Sequence, residues 1–356
     1  MVEPRILHVT REFSDRALGG IEQSILLAAS DTRFSHQILT LGYRDETSES
    51  ECQGLSVFRI IPTGSLKFFP LSFEWFRRLR RLTQTADIVH LHSPFPLGEL
   101  SIFFCGRPVI CTYHSDIVNY GWFGWLYQVI QRWMMRRTSG VIATSPAYVQ
   151  SSKCLKRYMD KLHVVPFGLP LETEDPVSPN VRVSSRFFLF LGSRRRYKGL
   201  SVLLEASRLS GCSVVVAGAG QTAPPSVSER EQIVWLDSVT EAEKVWLLKH
   251  ADALVLPSIS RAEAFGIVLL EAMRVGCPCI VSKLGTGVDW VVVDPQTGFI
   301  VEPNNPKQLA DVMLQIHLSE GLREQMGSAG RTRFEQNFSI AAYHEKLSMV
   351  YWQVLG

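Results

Sequence analysis

Two glutamates eight positions apart, Glu263 and Glu271, bracket the start of an apolar run in Arg261-Ala-Glu263-Ala264-Phe265-Gly266-Ile267. Ahead of them, Ala253-Leu-Val-Leu-Pro257-Ser258 reads as a short strand stopped by proline. After Glu263 the spacing turns helical through Ile267, Leu270 and Met273, with Gly276 closing the helix. A strand, a polar loop and a helix N-terminus in that order present backbone N–H groups at the carboxyl end of a strand. Open α/β sheets bind ligands there, and helix starts favour anions. A carboxylate beside an anion is repulsive unless it accepts hydrogen bonds from hydroxyls. A phosphate at the helix start with two hydroxyl-binding carboxylates beside it describes a nucleotide sugar; the plain alternative makes Glu263 an ordinary cap residue.

A second stretch carries charge of the opposite sign. The apolar strand Phe187–Leu191 runs into Gly192-Ser193-Arg194-Arg195-Arg196-Tyr197-Lys198-Gly199, and Gly199 leads into a helix. Four cations in five positions repel one another, so an anionic partner accounts for them better than a solvated loop does. Arginine can hold a diphosphate bidentately, while lysine acts as a point charge. No Asp-x-Asp pair sits at a strand end, so these cations and a helix dipole stand where a divalent ion would otherwise act, and no metal is expected.

These residues need two sheets to position them. Arg5–Thr10 reads as a first strand, and Gly19-Gly20-Ile-Glu22 opens a helix, without the G-x-G-x-x-G spacing of a dinucleotide site. Further strands are expected at 37–41, 57–61, 88–92, 109–113, 141–144 and 163–165, with helices between most of them. This alternation predicts a parallel, doubly wound domain over residues 1–168. The polar, proline-bearing stretch through Glu172 to Asn180 marks a linker, taken as 169–185. A second series of strands (187–191, 213–217, 233–236, 253–256, 280–282, 299–301) alternates with helices at 200–207, 241–249, 265–275 and 307–318, giving a second α/β domain over 186–338. A last helix within 339–356 is placed to fold back toward the first domain.

The motifs together resemble the retaining family-4 glycosyltransferases of GT-B fold: two facing Rossmann-like doubly wound domains with a cleft between them. The second half carries Gly192…Tyr197-Lys198-Gly199, Ala251-Asp252-Ala253…Pro257-Ser258, Glu263-x7-Glu271 with Phe265-Gly266, Gly276-Cys-Pro278, Gly285-Thr286-Gly287 and Thr297-Gly298-Phe299. The first half carries Gly19-Gly20-Ile-Glu22, Asp87-Ile-Val-His90-Leu-His92, Thr112-Tyr-His114-Ser-Asp116 and Ile142-Ala-Thr144-Ser145. The likeness spans nearly the whole chain and is strongest to mannosyltransferase-like enzymes of bacterial O-antigen and exopolysaccharide synthesis.

The resemblance implies roles. Lys198 and an arginine would neutralise the donor diphosphate. Glu271 would accept from the ribose hydroxyls, and Glu263 would hold the transferred sugar. The N–H groups around Ala264, Phe265, Gly266 and Ile267 would touch sugar or phosphate oxygens. Val239, in Asp237-Ser-Val239-Thr240-Glu241, would border the base. His114 would meet the sugar from the other domain, and Gly19, Gly20 and Glu22 would form a loop near the diphosphate or acceptor. Asp116 is either a general base or a loop cap. Many relatives carry arginine directly after the glycine equivalent to Gly192; here Ser193 stands there. Arg195 is the candidate replacement, with Arg194 and Arg196 left open. No glutamate nucleophile is implied: the acceptor attacks on the face the diphosphate leaves, and a donor phosphate oxygen helps take its proton.

Composition bounds the rest. The 356 residues are 46% hydrophobic and 20% charged with a net charge of +3, an ordinary globular balance with no nucleic-acid signature. Seven scattered cysteines read as reduced thiols, and Cys277-Pro-Cys279 has the wrong spacing for zinc. No signal-peptide pattern precedes the strand at Ile6, and no run approaches the ~20 apolar residues of a membrane span. Two stretches, Lys67–Arg81 and Trp122–Arg137, mix aromatics with arginines. They are either interfacial helices drawn to anionic lipid or core faces with a solvated edge. The expected enzyme is cytoplasmic, at the inner face of the cytoplasmic membrane, with a nucleotide sugar as donor (GDP-mannose first, a UDP-sugar as alternative) and a lipid-linked saccharide as acceptor. An epimerase or phosphorylase of the same fold, or a binding subunit without catalysis, are the rivals.

Overall fold

The computed structural model describes residues 3–13, 19–42, 48–66, 69–116, 121–220 and 233–356. The chain forms two compact units, one of Met1–Phe167 with Tyr343–Gly356 and one of Gly168–Ala342.

The first unit is built on eight strands: β1 (Arg5–Val9), β2 (Ser35–Leu41), β3 (Ser48–Cys52), β4 (Leu55–Ile60), β7 (Ile88–Ser93), β8 (Val109–Tyr113), β9 (Gly140–Ala143) and β10 (Leu162–Val164), with a separate hairpin of β5 (Gly64–Leu66) and β6 (Phe69–Leu71). The sheet order is β10-β9-β8-β7-β1-β2-β4-β3. Chain order reverses between β1 and β7, which makes that junction a topological switch point. The central strands β7 and β8 are buried at every position, as strands covered by helices on both faces must be. Strand β3 departs from the parallel pattern, pairing antiparallel with β4 at the edge. Its sequence, Ser-Glu-Ser-Glu-Cys, has no apolar run to announce it, and its glutamates suit an exposed edge. The helices are α1 (Gly20–Ala29), α2 (Phe73–Thr83), α3 (Pro96–Ser101), α4 (Gly121–Arg137) and α5 (Pro146–Ser151).

The second unit has six parallel strands, β11 (Phe188–Leu191), β12 (Val214–Ala217), β13 (Ile233–Leu236), β14 (Ala253–Leu256), β15 (Cys279–Ser282) and β16 (Gly298–Val301), in the order β13-β12-β11-β14-β15-β16. This is the Rossmann order, with its switch point between β11 and β14. Helices α6 (Leu200–Ser210), α7 (Glu241–His250), α8 (Ile267–Arg274), α9 (Val288–Val291), α10 (Pro306–Leu318) and α11 (Glu320–Asn337) surround it. Phe188, Phe190, Leu203, Val214, Val216, Val255, Ile280, Leu309 and Met313 form its core. Each such side chain contributes roughly 1.5–3 kcal/mol by leaving water.

Two expectations are corrected here. The helix after Glu263 starts at Ile267 rather than Phe265, because Gly266 sits in the left-handed region (φ 75°) and breaks the helical run. Helix α11 was not foreseen, since Gly321, Gly327 and Gly330 interrupt its apolar pattern. Gly327 has a packing reason: a Cβ there would lie 2.1 Å from the Gly276 carbonyl oxygen, so only glycine lets α11 approach the end of α8.

The stretch read as a linker is tied to the second unit. The Leu169 N–H donates to the Phe338 carbonyl (2.9 Å), Val177 N–H to Ala242 (3.1 Å), and Arg274 Nη1 to the carbonyls of Pro170 and Glu172 (3.2 Å each). A final helix, α12 (Ile340–Leu355), belongs from Tyr343 onward to the first unit, where His344 Nε2 bonds the Leu27 carbonyl at 2.8 Å.

Candidate active site

In the second unit the basic loop and the first glutamate meet at the switch point, because β11 and β14 are neighbours and both loops leave their carboxyl ends. Gly199, in the left-handed region (φ 70°), holds the two loops together: a Cβ there would lie 1.9 Å from the Pro257 carbonyl oxygen. The Ile259 N–H donates to the Tyr197 carbonyl at 2.8 Å, stitching the same two loops. Lys198 Nζ then reaches Glu263 Oε2 at 2.9 Å, with the two side chains only 13% and 10% exposed. Ser258 Oγ donates to the same oxygen at 3.4 Å. Burial pushes the pKa of the Lys198 ammonium down, but the neighbouring Glu263 carboxylate outweighs this, and the Lys198 pKa stands above the ordinary lysine value.

The Glu263 loop is fixed from the other side. Thr286 Oγ1 donates to the Glu263 carbonyl at 2.9 Å, Gly287 N–H to the Ala264 carbonyl at 2.7 Å, and Arg261 Nη1 to the carbonyls of Leu284 and Gly285 at 3.1 Å each. Gly266 follows as the N-cap of α8, with no side chain capping it. The N-terminus of α8 therefore opens where Lys198 and Glu263 stand, a place suited to an anion. Phe265 itself is buried, so what it offers a ligand is backbone.

Glu271, on α8, is 7% exposed as a residue and pairs with Lys244 on α7 (Nζ–Oε1 2.8 Å). Lys244 also holds Glu241 at 2.7 Å. Burial lowers the Lys244 pKa, the two carboxylates raise it, and the net direction is upward. Val239 lies half-buried just before the capping box of Thr240 and Glu243 that starts α7. Of the three arginines, Arg194 is buried, pairs with Asp237 at 2.6 Å and stacks over Trp235 with its Cζ 5.4 Å from the ring centroid. Arg195 and Arg196 are exposed, as is Ser193.

The chain as a whole is similar to known proteins. Residues 19–173 match the family described as Glycosyltransferase Family 4, and residues 172–333 match Glycosyl transferases group 1. The O-antigen chain mannosyltransferase C of Escherichia coli is 32% identical over 351 residues, covering 94% of each chain. The chain is a family-4 glycosyltransferase. The D-rhamnosyltransferase WbpZ of Pseudomonas aeruginosa is 31% identical over 351 residues, covering 94% of this chain and 92% of that one. Among solved structures, Anabaena Alr3699/HepE in complex with UDP-glucose superposes with a TM-score of 0.74 at 17% identity, covering 98% of this chain and 99% of that one. The fold is GT-B, with a Rossmann-like parallel sheet in each unit.

The first unit of this glycosyltransferase holds the remaining expected residues. Gly19 caps α1, and the Glu22 carboxylate folds back so that a Cβ on Gly19 would lie 2.6 Å from Glu22 Oε2. Glu22 thus sits on the positive end of its own helix, and Gly20 beside it is exposed with open space around it. Asp116 accepts from Tyr113 Oη (2.8 Å) and Ser152 Oγ (3.0 Å), while its N–H donates to Tyr148 Oη (2.5 Å). Those contacts favour the loop-anchor reading of Asp116. His114 follows β8 directly, with its N–H on the Ser93 carbonyl (2.9 Å) and its ring facing Phe167 at 6.2 Å between centroids.

Several residues at these sites were not singled out from sequence. Lys244 hides in Glu-Ala-Glu-Lys, an ordinary charged helix start, and nothing local tells that its head group turns inward to Glu271. His8 and His36 each stand alone in an apolar strand, and only strand order brings them to His92 and His114.

Of the two aromatic and basic stretches, Lys67 and Phe68 lie outside the described residues, as do the side chains of Trp122 and Trp125. The described parts show both faces. Helix α2 buries Trp75, Leu79 and Leu82 and exposes Phe73 (83%) and Arg77. Helix α4 buries Met134 and Met135 and leaves Trp133 half exposed, stacked on Phe103 at 3.8 Å with the Arg137 guanidinium over both rings. No helix among the described residues is long and apolar enough to cross a membrane.

Proposed function

We propose that the chain is a retaining, metal-independent hexosyltransferase that moves mannose from GDP-mannose to a lipid-linked saccharide in cell-surface polysaccharide synthesis. The observation that carries the reading is the Lys198–Glu263 pair at the β11/β14 switch point, beside the N-terminus of α8. Lys198, Arg195 and the α8 amides receive the diphosphate as leaving group. Donors held in place can each contribute about 3–4 kcal/mol to such a step. Donor binding draws the Lys198 ammonium toward phosphate and frees Glu263 Oε2 to accept from a hydroxyl of the sugar. Glu271, steadied by Lys244, accepts from the ribose, and Val239 lies beside the base.

In the transfer, the C1–O bond to the diphosphate breaks and a C1–O bond to the acceptor hydroxyl forms on the same face. The hydroxyl proton passes to a phosphate oxygen of the departing diphosphate, and no enzyme carboxylate becomes glycosylated. His114 meets the transferred sugar. Gly19 and Gly20 leave room for backbone approach to a diphosphate or acceptor.

Mannose is supported by the E. coli relative, a mannosyltransferase by name. The Pseudomonas relative is named for rhamnose and the Anabaena structure holds UDP-glucose, so a UDP-sugar or another hexose is the second reading. The exposed Phe73, Arg77, Trp133 and Arg137 support contact with an anionic membrane, where a lipid-linked acceptor would be found, at the inner face of the cytoplasmic membrane. The test is release of nucleoside diphosphate from GDP-, UDP- and ADP-sugars in chelator, with and without bacterial lipid extract. Release from GDP-mannose that rises with lipid is expected. Preferential release from another donor overturns the mannose assignment, dependence on added divalent ion overturns the metal-free mechanism, and silence across the panel overturns the transferase reading.

A further inference from the structure

Four histidines from neighbouring strands of the first unit are joined ring to ring. His36 on β2 lies with Nδ1 2.9 Å from His8 Nε2 on β1. His8 Nδ1 lies 3.0 Å from His92 Nε2 on β7, and His92 Nδ1 lies 2.9 Å from His114 Nε2 at the end of β8. Every link has the same sense, Nδ1 of one ring to Nε2 of the next. The rings lie close to parallel, 23°, 29° and 21° between successive planes, with centroids 5.1 to 5.3 Å apart. His8 and His92 are 0% and 2% exposed and His36 is 7%, while His114, at the end of the row, is 9%.

A neutral imidazole carries one N–H and one lone pair. Three consecutive N···N hydrogen bonds between neutral rings can therefore be made in only two ways: all four protons on Nδ1, or all four on Nε2. Any mixed arrangement sets N–H against N–H or lone pair against lone pair in a buried site, at the cost of a buried unsatisfied group. Burial keeps the rings neutral, pushing His114 down to about 3 and His36 to about 4 and holding His8 and His92 well below the ordinary imidazole value.

We propose that His36, His8 and His92 are positioning residues that act as one tautomeric unit with His114, so that its outer nitrogen offers the sugar an N–H or a lone pair according to the tautomer of the whole row. This rests on the reading that His114 meets the transferred sugar. Sugar hydroxyls can donate or accept, and a ring locked in one tautomer selects one hydroxyl orientation before the donor arrives. Such pre-organisation lowers the barrier without any proton moving.

A metal at the same place is the competing reading, since His8, His90 and His92 each bring a nitrogen within 4.8 Å of the others. Their nitrogens are already engaged: His90 Nδ1 meets Tyr351 Oη and its Nε2 meets Thr112 Oγ1, both at 2.7 Å, and His8 and His92 bond along the row.

Nitrogen-15 NMR of the histidine-labelled enzyme reads the tautomers directly. His8, His36, His92 and His114 are expected neutral and all of one tautomer. In His92→Phe the row is cut beside His114: His114 is expected to populate both tautomers, and kcat to fall about tenfold with the donor KM unchanged, a barrier change of about 1.4 kcal/mol. Mixed tautomers in the unmodified enzyme, a folded His92→Phe in which His114 keeps its single tautomer, or displacement of these resonances by stoichiometric zinc would each overturn the proposal. Coupled tautomers in an enzyme whose His114→Ala variant transfers normally would instead leave the row standing and remove His114 from the sugar site.

Discussion

At the scale of single residues the second unit's site depends on two buried ion pairs that share a logic. Lys198–Glu263 and Lys244–Glu271 each place a carboxylate where a hydroxyl donor can replace or join the lysine. Truncating Glu263 removes the sugar acceptor but keeps the cations: Glu263→Ala is expected to retain nucleoside-diphosphate affinity while transfer drops by about 100-fold or more, a loss of roughly 2.7 kcal/mol or more in transition-state binding. Steady-state kinetics beside calorimetric titration checks this, and unchanged transfer would remove Glu263 from the mechanism. Glu263 and Lys198 were legible because each sits at a strand-to-helix junction that sequence punctuates with proline or glycine, and Glu271 by its place eight positions on, inside the helix. Lys244 was not, because a lysine in an acidic helix start reads the same whether it faces water or a partner. Among the arginines the burial of Arg194 against Asp237 and Trp235 separates it from Arg195, a distinction three adjacent identical residues cannot convey.

At the scale of elements, β1, β2, β7 and the end of β8 pack five neutral histidines into one region of a sheet, His90 among them. Burial pushes His90 down to about 3, as it does His114. At pH above about 6.5 these rings are neutral whether the chain is folded or unfolded. Below that, the unfolded chain binds protons that the folded rings refuse. Stability is therefore expected to fall by on the order of 1 kcal/mol per pH unit per ring as pH drops from about 6.5 toward about 4. Melting temperatures measured across that range should decline steeply, and a flat profile would show that the rings take up protons while folded. Glycine packing sets a second dependence. Gly327→Ala in α11 places a methyl against backbone at the end of α8 and is expected to cost about 1–3 kcal/mol by overpacking, read as a lower melting temperature. Helix α11 and strand β3 were among the elements that sequence concealed, one by its internal glycines and the other by having no apolar residue before its final cysteine. Strands such as Val109–Tyr113 and Ala253–Leu256 were visible to the residue, since buried parallel strands are short, mostly apolar runs.

At the scale of the whole molecule two sheets, one wholly parallel and one parallel but for its edge strand β3, each with its own switch point, divide the chain, and both halves fall within glycosyltransferase families. The alternation of strands and helices made this architecture readable before any contact was known. The return of Tyr343–Gly356 to the first unit agrees with the place expected for the last helix, whereas the attachment of residues 169–177 to the second unit rests on long-range backbone contacts that sequence does not announce. The exposed aromatic and basic groups on α2 and α4 belong to this scale as well. Replacing Arg77, Arg80 and Arg81 with serine is expected to reduce sedimentation with vesicles containing anionic lipid, by up to about 1 kcal/mol per charge at low salt, and to leave neutral vesicles unaffected. Equal binding by the variant would place the membrane contact elsewhere.

The central claim is that the cations at the β11/β14 switch point hold the donor diphosphate. The measurement that tests it most directly is calorimetric titration of the unmodified enzyme and Lys198→Ala with GDP and with guanosine, in chelator. The account predicts that the variant loses about 10- to 100-fold in GDP affinity, 1.4–2.8 kcal/mol, and nothing in guanosine affinity. Equal GDP affinity in the two proteins, with the variant folded, would contradict it.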